Sequence, residues 1–287
     1  ISTFRRIRPW AKIGKYTGDE KESNSEILFA SIQTLGRTRH LNKFPHDAFD
    51  YIIVDEFHHA AARTYRNLIN HFSPKFLLGL TATPDRTDGA DLLSLCQDNL
   101  VFDNDMITGI KAGLLCPFKY FGVPDDIDYD TIPWRSTRFD EKKLTLAAAT
   151  HKRAGNALEQ FKSKGGSKGL GFCCSIRHAE FMAEFFLDHG VKAVAGHSDA
   201  SSYPRARALE ELAEGKIQII FTVDIFNEGL DVPAIDTVLM LRPTQSSIIW
   251  LQQFGRGLRK LTGKSHLNVI DYIGNHRSFL IKIKSML

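Results

Sequence analysis

Along the chain, short apolar runs rich in β-branched residues alternate with longer stretches whose apolar positions recur at helical spacing. Ile27-Leu28-Phe29-Ala30 reads as a strand that turns into a helix by Leu35, and Tyr51-Ile52-Ile53-Val54 as a strand buried on both faces of a parallel sheet. Ala61, Tyr65, Leu68, Ile69 and Phe72 then describe a helix over residues 57–72, before a second buried strand at Phe76-Leu77-Leu78-Gly79-Leu80. A short helix over 91–95, a short strand at Leu100-Val101-Phe102 and a helix from Ile107 that stops at Gly113 come next. The stretch 125–134 is acidic, has Pro124 before it and Pro133 within it, and keeps no clean period. It marks a crossover.

Beyond it, helix is predicted over 140–161, 176–190, 205–214 and 247–258, and strand over 169–175, 192–195, 217–222, 237–241 and 266–271. Strand and helix alternate in both halves, the signature of an α/β chain whose parallel sheets are flanked by helices on both faces. Two domains are expected, residues 1–122 and 151–287, joined by a linker over 123–150.

Composition changes this picture little. The 287 residues suffice for two buried cores, and 43% hydrophobic with 24% charged residues describes a globular chain. A net charge of +4 permits a polyanionic partner without requiring one. The four cysteines lack C-x-x-C spacing, which argues for reduced thiols in the cytoplasm and against structural zinc. No apolar run approaches the roughly 18 residues of a membrane span. The start, Ile1-Ser2-Thr3, carries no initiator Met or signal-like segment and reads as a cut end. In residues 1–26, Arg5, Arg6, Arg8, Lys12, Lys15 and Lys21 mix with Phe4, Trp10 and Tyr16. That mixture suits a single-stranded nucleic acid, or an ordinary helix end, strand and solvated loop.

The chemistry collects where strands end. Tyr51-Ile52-Ile53-Val54 runs directly into Asp55-Glu56-Phe57-His58-His59, and the next strand into Thr81-Ala82-Thr83-Pro84. In open α/β sheets, ligands sit beyond the carboxyl ends of the strands. An acidic pair there can hold Mg²⁺ on a nucleotide phosphate and activate a water; it can equally cap the following helix. Further on, Thr222 ends a strand before Asn227-Glu228-Gly229-Leu230-Asp231, and Gln252-Gln253-Phe254-Gly255-Arg256-Gly257-Leu258-Arg259 places two arginines three apart, on one face of a helical turn. Such arginines can form weak surface ion pairs or stabilise charge on transferring phosphoryl oxygens.

Asp-Glu-x-His followed by Thr-Ala-Thr-Pro resembles motifs II and III of the superfamily 2 (DEAD/DEAH-box, DExH) helicases, and Ile27 to Leu35 resembles motif Ib. The later segments resemble motifs IV, V and VI, in the same order. The wording of Asp55 to Ala60 and of Gln252 to Arg259 is most similar to the branch that includes type I and type III restriction-enzyme motor subunits and bacterial repair helicases. One departure stands out: Gln253 occupies a position where that family commonly has Arg.

The resemblance implies two RecA-like domains, the first incomplete at its N-terminus, in an ATP- and Mg²⁺-dependent helicase or translocase acting on nucleic acid, DNA in the first place. It implies that Asp55 holds Mg²⁺ through water, that Glu56 is the general base, and that His58, Thr81, Thr83 and Gln252 couple the nucleotide to the nucleic-acid site. Arg256 and Arg259 would reach the terminal phosphates, Gly229 and Asp231 would line the nucleotide site, and Ser31, Gln33, Thr34 and Thr222 would hold the phosphodiester strand. A nuclease or target-recognition domain, fused or associated, would fit the restriction-like branch; no membrane partner is implied.

The family also needs a phosphate loop, G-x-x-x-x-G-K-[ST]. Only Gly263-Lys264-Ser265 comes close, with Gly257 one residue too far upstream and the helix-turn-strand order reversed. The expectation is therefore a piece of a longer motor, inactive alone. The alternative is a helicase-like module that only binds nucleic acid or a protein.

Overall fold

The computed structural model describes residues 1–60, 62–81, 93–135, 138–199, 202–223, 234–243 and 247–274. The chain divides into two compact units, Ile1–Asp103 and Asn104–Leu287.

In the first unit, α1 (Ser2–Ile7) leads to β1 (Ile13–Tyr16) and β2 (Ile27–Ala30), which pair in parallel. Two one-turn helices, α2 (Ile32–Leu35) and α3 (Thr38–Leu41), precede β3 (Tyr51–Val54). Helix α4 (Arg63–His71) returns the chain to β4 (Phe76–Gly79), parallel to β3 with Val54 opposite Gly79. Tyr16, Leu35, Leu41, Phe44, Leu68 and Phe72 form one core cluster, and Val54, Phe57 and Ala60 a second.

Strand β3 departs from the expected burial on both faces. Tyr51 and Ile53 are 71% and 60% exposed while Val54 is buried. Side chains of a strand alternate between faces, and Ile52 and Val54 point into the two clusters while Tyr51 and Ile53 do not. An unbroken apolar run cannot reveal which face is covered. Leu100-Val101-Phe102 also differs, forming no strand and standing exposed. The helix expected over 57–72 is split into a 3-10 turn, Phe57–His59, and α4.

The second unit opens with α5 (Met106–Lys111), whose end is followed by Gly113 at φ +70°, the left-handed conformation that glycine adopts most cheaply. Next come β5 (Phe118–Pro124), the antiparallel pair β6 (Trp134–Arg135) and β7 (Arg138–Phe139), α6 (Glu141–Ala148) and α7 (His151–Lys164). Strand and helix then alternate: β8 (Gly169–Phe172), α8 (Ile176–Asp188), β9 (Ala193–Gly196), α9 (Arg205–Ala213), β10 (Ile219–Thr222), β11 (Thr237–Met240), α10 (Ser247–Gly255) and β12 (Leu267–Ile273).

Six strands form one parallel sheet in the order β5-β12-β11-β8-β10-β9. Strands β8, β10 and β11 are buried at every position, as expected for a sheet covered on both faces. Alternation sorts their side chains into two cores. Leu170, Ile220, Val238 and Met240 pack with Trp250 and Phe254 on one face; Ile219, Phe221 and Leu239 pack with Phe161, Met182 and Phe186 on the other.

The stretch expected to link the domains is built into this unit. Strand β5 pairs along its whole length with β12, from Phe118 opposite Leu267 to Pro124 opposite Ile273. Ile127, Tyr129, Ile132, Phe139, Leu144 and Ala148 bury against Cys174. Beneath them lies an ion pair, Arg153 to Asp125 at 2.9 Å, whose side chains are 5% and 0% exposed. The Tyr129 hydroxyl donates to Asp125 at 2.7 Å, Arg153 donates to the Leu241 carbonyl at 3.0 Å, and the guanidinium lies 4.8 Å from the Tyr272 ring centroid. Burial between these groups drives the Tyr129 phenol far above its ordinary range.

Among the described residues no helix is long and apolar enough to cross a membrane, and no group of three potential ligands could cage a metal ion. All four cysteines are free.

Removing one partner of a buried pair strands the other's charge. Arg153→Met should therefore lower the unfolding free energy of the second unit by about 3–5 kcal/mol. Adding Asp125→Asn to it should recover part of that loss. Urea unfolding of the single and double variants checks both; equal losses would remove the ion pair from the explanation.

Candidate functional site

Strand β3 ends at Val54, and the turn after it is set by main-chain bonds. The Leu80 N–H donates to the Val54 carbonyl at 2.9 Å, and the Phe57 N–H donates to the Leu80 carbonyl at 2.8 Å. These bonds carry the pairing of β3 with β4 past both strand ends. Gly79 makes room for the fold-back: a Cβ there would lie 2.5 Å from the Phe57 ring. Phe57 is thereby seated in the core, and the two acids before it are left towards the sheet's edge while His58 after it is buried.

Asp55 is exposed and accepts the Glu56 N–H at 2.9 Å. Glu56 has φ 51° and ψ 48°, a left-handed conformation shared by few non-glycine residues. It occupies the N-terminal position of the Phe57–His59 turn without capping it through its side chain. The helix-cap alternative therefore does not describe Glu56 here. Its carboxylate, 28% exposed, lies 3.4 Å from His58 Nδ1, and that same nitrogen lies 3.2 Å from Thr81 Oγ1. His58 is 2% exposed, so acid, imidazole and hydroxyl form a chain from the core to the edge. Two adjacent strand ends thus bring Glu56, His58 and Thr81 together; Thr83 lies outside the described residues.

Ser31, Gln33 and Thr34 occupy the first turn after β2. The Ser31 hydroxyl donates to Thr34 Oγ1 at 2.9 Å, and Gln33 is exposed.

In the second unit, Thr222 ends β10 fully buried, its carbonyl accepting the Cys173 N–H at 2.8 Å. Gly229 and Asp231 lie outside the described residues. Helix α10 carries half-buried Gln252 and buried Gln253, then ends at Gly255. Arg256 sits in the turn after the helix, and Arg259 makes an isolated antiparallel bridge with Leu115. This corrects the expectation of one helical turn bearing both arginines. Gly255 and Gly257 interrupt the helix, and main-chain pairing with residues 115–116 replaces it. Arg256 is half-buried and Arg259 exposed.

Behind the arginines α10 is firmly seated. Trp250 stacks on Phe254 at 5.1 Å, and both Trp250 Nε1 and the Tyr120 hydroxyl donate to Asp271, at 3.3 and 2.9 Å. Several polar contacts escaped the sequence reading: the Arg153–Asp125 pair, His197 at 3.3 Å from Glu180, and the bonds from Lys264 to main-chain carbonyls. Nothing local marks any of them, because each contact joins residues distant in sequence or folds a turn back on itself. Lys264 directed at carbonyls fits the exclusion of Gly263-Lys264-Ser265 as a phosphate loop.

Comparison with known proteins fits this arrangement. The family model described as type III restriction enzyme, res subunit, matches residues 1–86, and the helicase conserved C-terminal domain matches 153–260. IRC3 of Saccharomyces cerevisiae, named as an ATP-dependent helicase, is 29% identical over 95% of this chain and 41% of its own length. The type I restriction enzyme EcoAI endonuclease subunit of Escherichia coli is 25% identical over 79% of this chain and 32% of its own length. The chain spans about half or less of the curated relatives it matches. Among solved structures, a fragment assigned as the HsdR subunit of a type I restriction enzyme from Vibrio vulnificus YJ016 superposes with TM-score 0.69. It is 24% identical and covers 91% of this chain and 53% of that one. With one family model matched in each half and a RecA-like parallel sheet, the chain is similar to the superfamily 2 helicases, on the branch related to restriction-enzyme motor subunits.

Proposed function

We propose that this chain is the part of an ATP-dependent DNA helicase or translocase that carries the water-activating acids and the phosphate-facing arginines. The observation that carries the reading is the Glu56–His58–Thr81 chain at the ends of β3 and β4. A carboxylate with one side to solvent and the other against an imidazole is placed to take a proton from an attacking water. His58, linking Glu56 to Thr81, makes the position of that carboxylate depend on the turn after β4. This is the coupling a motor needs between nucleotide and nucleic acid.

The donors fit a Mg²⁺–nucleotide. Asp55 is an exposed hard-oxygen ligand, and Mg²⁺ is ordinarily held by one or two carboxylates, waters and substrate phosphates rather than by a protein cage. When bound, the ion would neutralise charge on the transferring phosphoryl group. Asp55 would hold it through water, Glu56 would orient and deprotonate the attacking water, and Arg256 and Arg259 would offset charge on the phosphoryl oxygens. Ser31, Gln33 and Thr34 offer hydroxyl and amide groups to a phosphodiester strand, contacts that position without reading sequence. Thr222, being buried, would shape its strand end.

Three outcomes test the reading. In the full-length gene product, Glu56→Gln should reduce DNA-stimulated ATP turnover by about 10²–10⁴-fold, the range of a lost general base; turnover near wild type would take that role from Glu56. Purified residues 1–287, which contain no complete phosphate loop, should release phosphate from ATP only at background. Robust turnover by that piece would mean that another segment cradles the phosphates.

Glu56→Gly offers a third check. It should relieve the left-handed strain, about 1–2 kcal/mol, while adding about 0.4–1 kcal/mol of unfolded-state freedom. Urea unfolding should thus show a gain of about 0.5–1 kcal/mol, accompanied by lost turnover in the full-length protein. A clear loss of stability would show that contacts of the Glu56 carboxylate hold the turn.

A further inference from the structure

The loop that carries the two arginines is gripped from both sides. On one side lies the segment after α5. The Cys116 N–H donates to the Leu258 carbonyl at 2.8 Å, Leu115 bridges Arg259, and Lys260 Nζ donates to the Gly113 carbonyl at 2.8 Å. On the other side a single ammonium closes the loop. Lys264 Nζ donates to the Gly257 carbonyl and, at 3.0 Å, to the Arg259 carbonyl. The Cys116 thiol completes the cluster, donating to the Gly257 carbonyl at 3.4 Å. Gly257 itself has no room for a side chain, since a Cβ would lie 2.2 Å from Leu267.

Two carbonyls two residues apart can meet one ammonium only if the chain between them curls around it. The curl fixes the main chain on both sides of Leu258, where Arg256 and Arg259 are attached. The lysine is held there at a cost. Burial lowers its pKa from the ordinary lysine range, and a lysine in a solvated turn avoids that penalty by pointing outward. The turn does not need the side chain: Gly263 at φ +87° and the Lys264 N–H to Leu261 carbonyl bond, 3.0 Å, already form it.

We propose that Lys264 is a positioning residue for ATP turnover, its ammonium fixing the loop that presents Arg256 and Arg259 by holding the Gly257 and Arg259 carbonyls. The proposal rests on the role given above to those arginines. Lys264 touches no reacting atom in this scheme. It acts through the loop, and displacements of about 1 Å in a phosphate-facing group can cost about 10²-fold in rate.

The test uses the full-length gene product and DNA-stimulated phosphate release, with Arg256→Ala, Lys264→Met and Lys264→Arg compared by kcat, KM for ATP and thermal midpoint. Lys264→Met should reduce kcat at least about tenfold with KM for ATP changed by less than about threefold and the midpoint kept. Lys264→Arg, which retains a charged donor, should recover most of the loss. Lys264→Met with kcat within about twofold of wild type, beside an inactive Arg256→Ala, overturns the positioning role while leaving the arginines in place. Wild-type turnover by Arg256→Ala instead removes the reading on which the proposal stands. A Lys264→Met protein that unfolds, or loses kcat without recovery by arginine, makes the lysine structural and overturns the proposal as well.

Discussion

Two main-chain hydrogen bonds, from Leu80 to Val54 and from Phe57 back to Leu80, hold the acidic end of the first unit in place. Parallel strands enter a sheet from the same side and leave it at the same edge, so the turns that leave β3 and β4 must be neighbours. The bonds extend that neighbourhood past the ladder. They determine that His58 meets Thr81 and that Phe57 and His58, just after the acids, both turn inward. The left-handed Glu56 arises from the same geometry: the chain must reverse within two residues of the strand, and a carboxylate-bearing residue stands where glycine would cost least. Strain held at such a point is characteristic of functional positions.

The second unit meets the same demand differently. The inner strands β8, β10 and β11 of its sheet are buried on both faces, so they cannot carry exposed chemistry, and polar work is pushed to loops and helix ends. Those loops are tied by single polar side chains set into apolar ground: Arg153 under the segment after β5, Asp271 under α10, Lys264 inside the arginine loop. Each tie is directional in a way apolar packing is not. Together they explain how two exposed or half-exposed arginines can have a fixed origin.

Most of the architecture was legible in the alternation of apolar runs and helical spacing. The strands from 169 to 273 were found because a fully buried parallel strand writes an unbroken apolar run. That rule misreads β3, whose run is equally apolar while Tyr51 and Ile53 stand exposed, and it promotes Leu100-Val101-Phe102, which is not extended into any ladder, to a strand. The acidic turn was legible because Asp55, Glu56 and His58 lie within four residues of one another. Polar contacts across long separations left no local trace. Asp125 and Arg153 lie in segments that separately look like a linker and a helix, and Gly263-Lys264 looks like any turn. The end of α10 at Gly255 was masked by an apolar face continuing to Leu258, and only pairing with Leu115 and Cys116 decides it.

The topology of the large sheet has a consequence for synthesis. Among the described residues, edge strand β5 has β12 as its one neighbour in that sheet, and the two come from opposite ends of the unit. On a ribosome moving at roughly 5–20 residues per second, Phe118, Tyr120 and Phe121 emerge many seconds before the strand that will pair with them. Until then the nascent chain carries an aromatic-rich segment with unsatisfied amides, the kind of surface that chaperones recognise and that drives aggregation in slow-closing parallel sheets. The native hydrogen bonding of that segment is available only once the last strand of the sheet has left the ribosome.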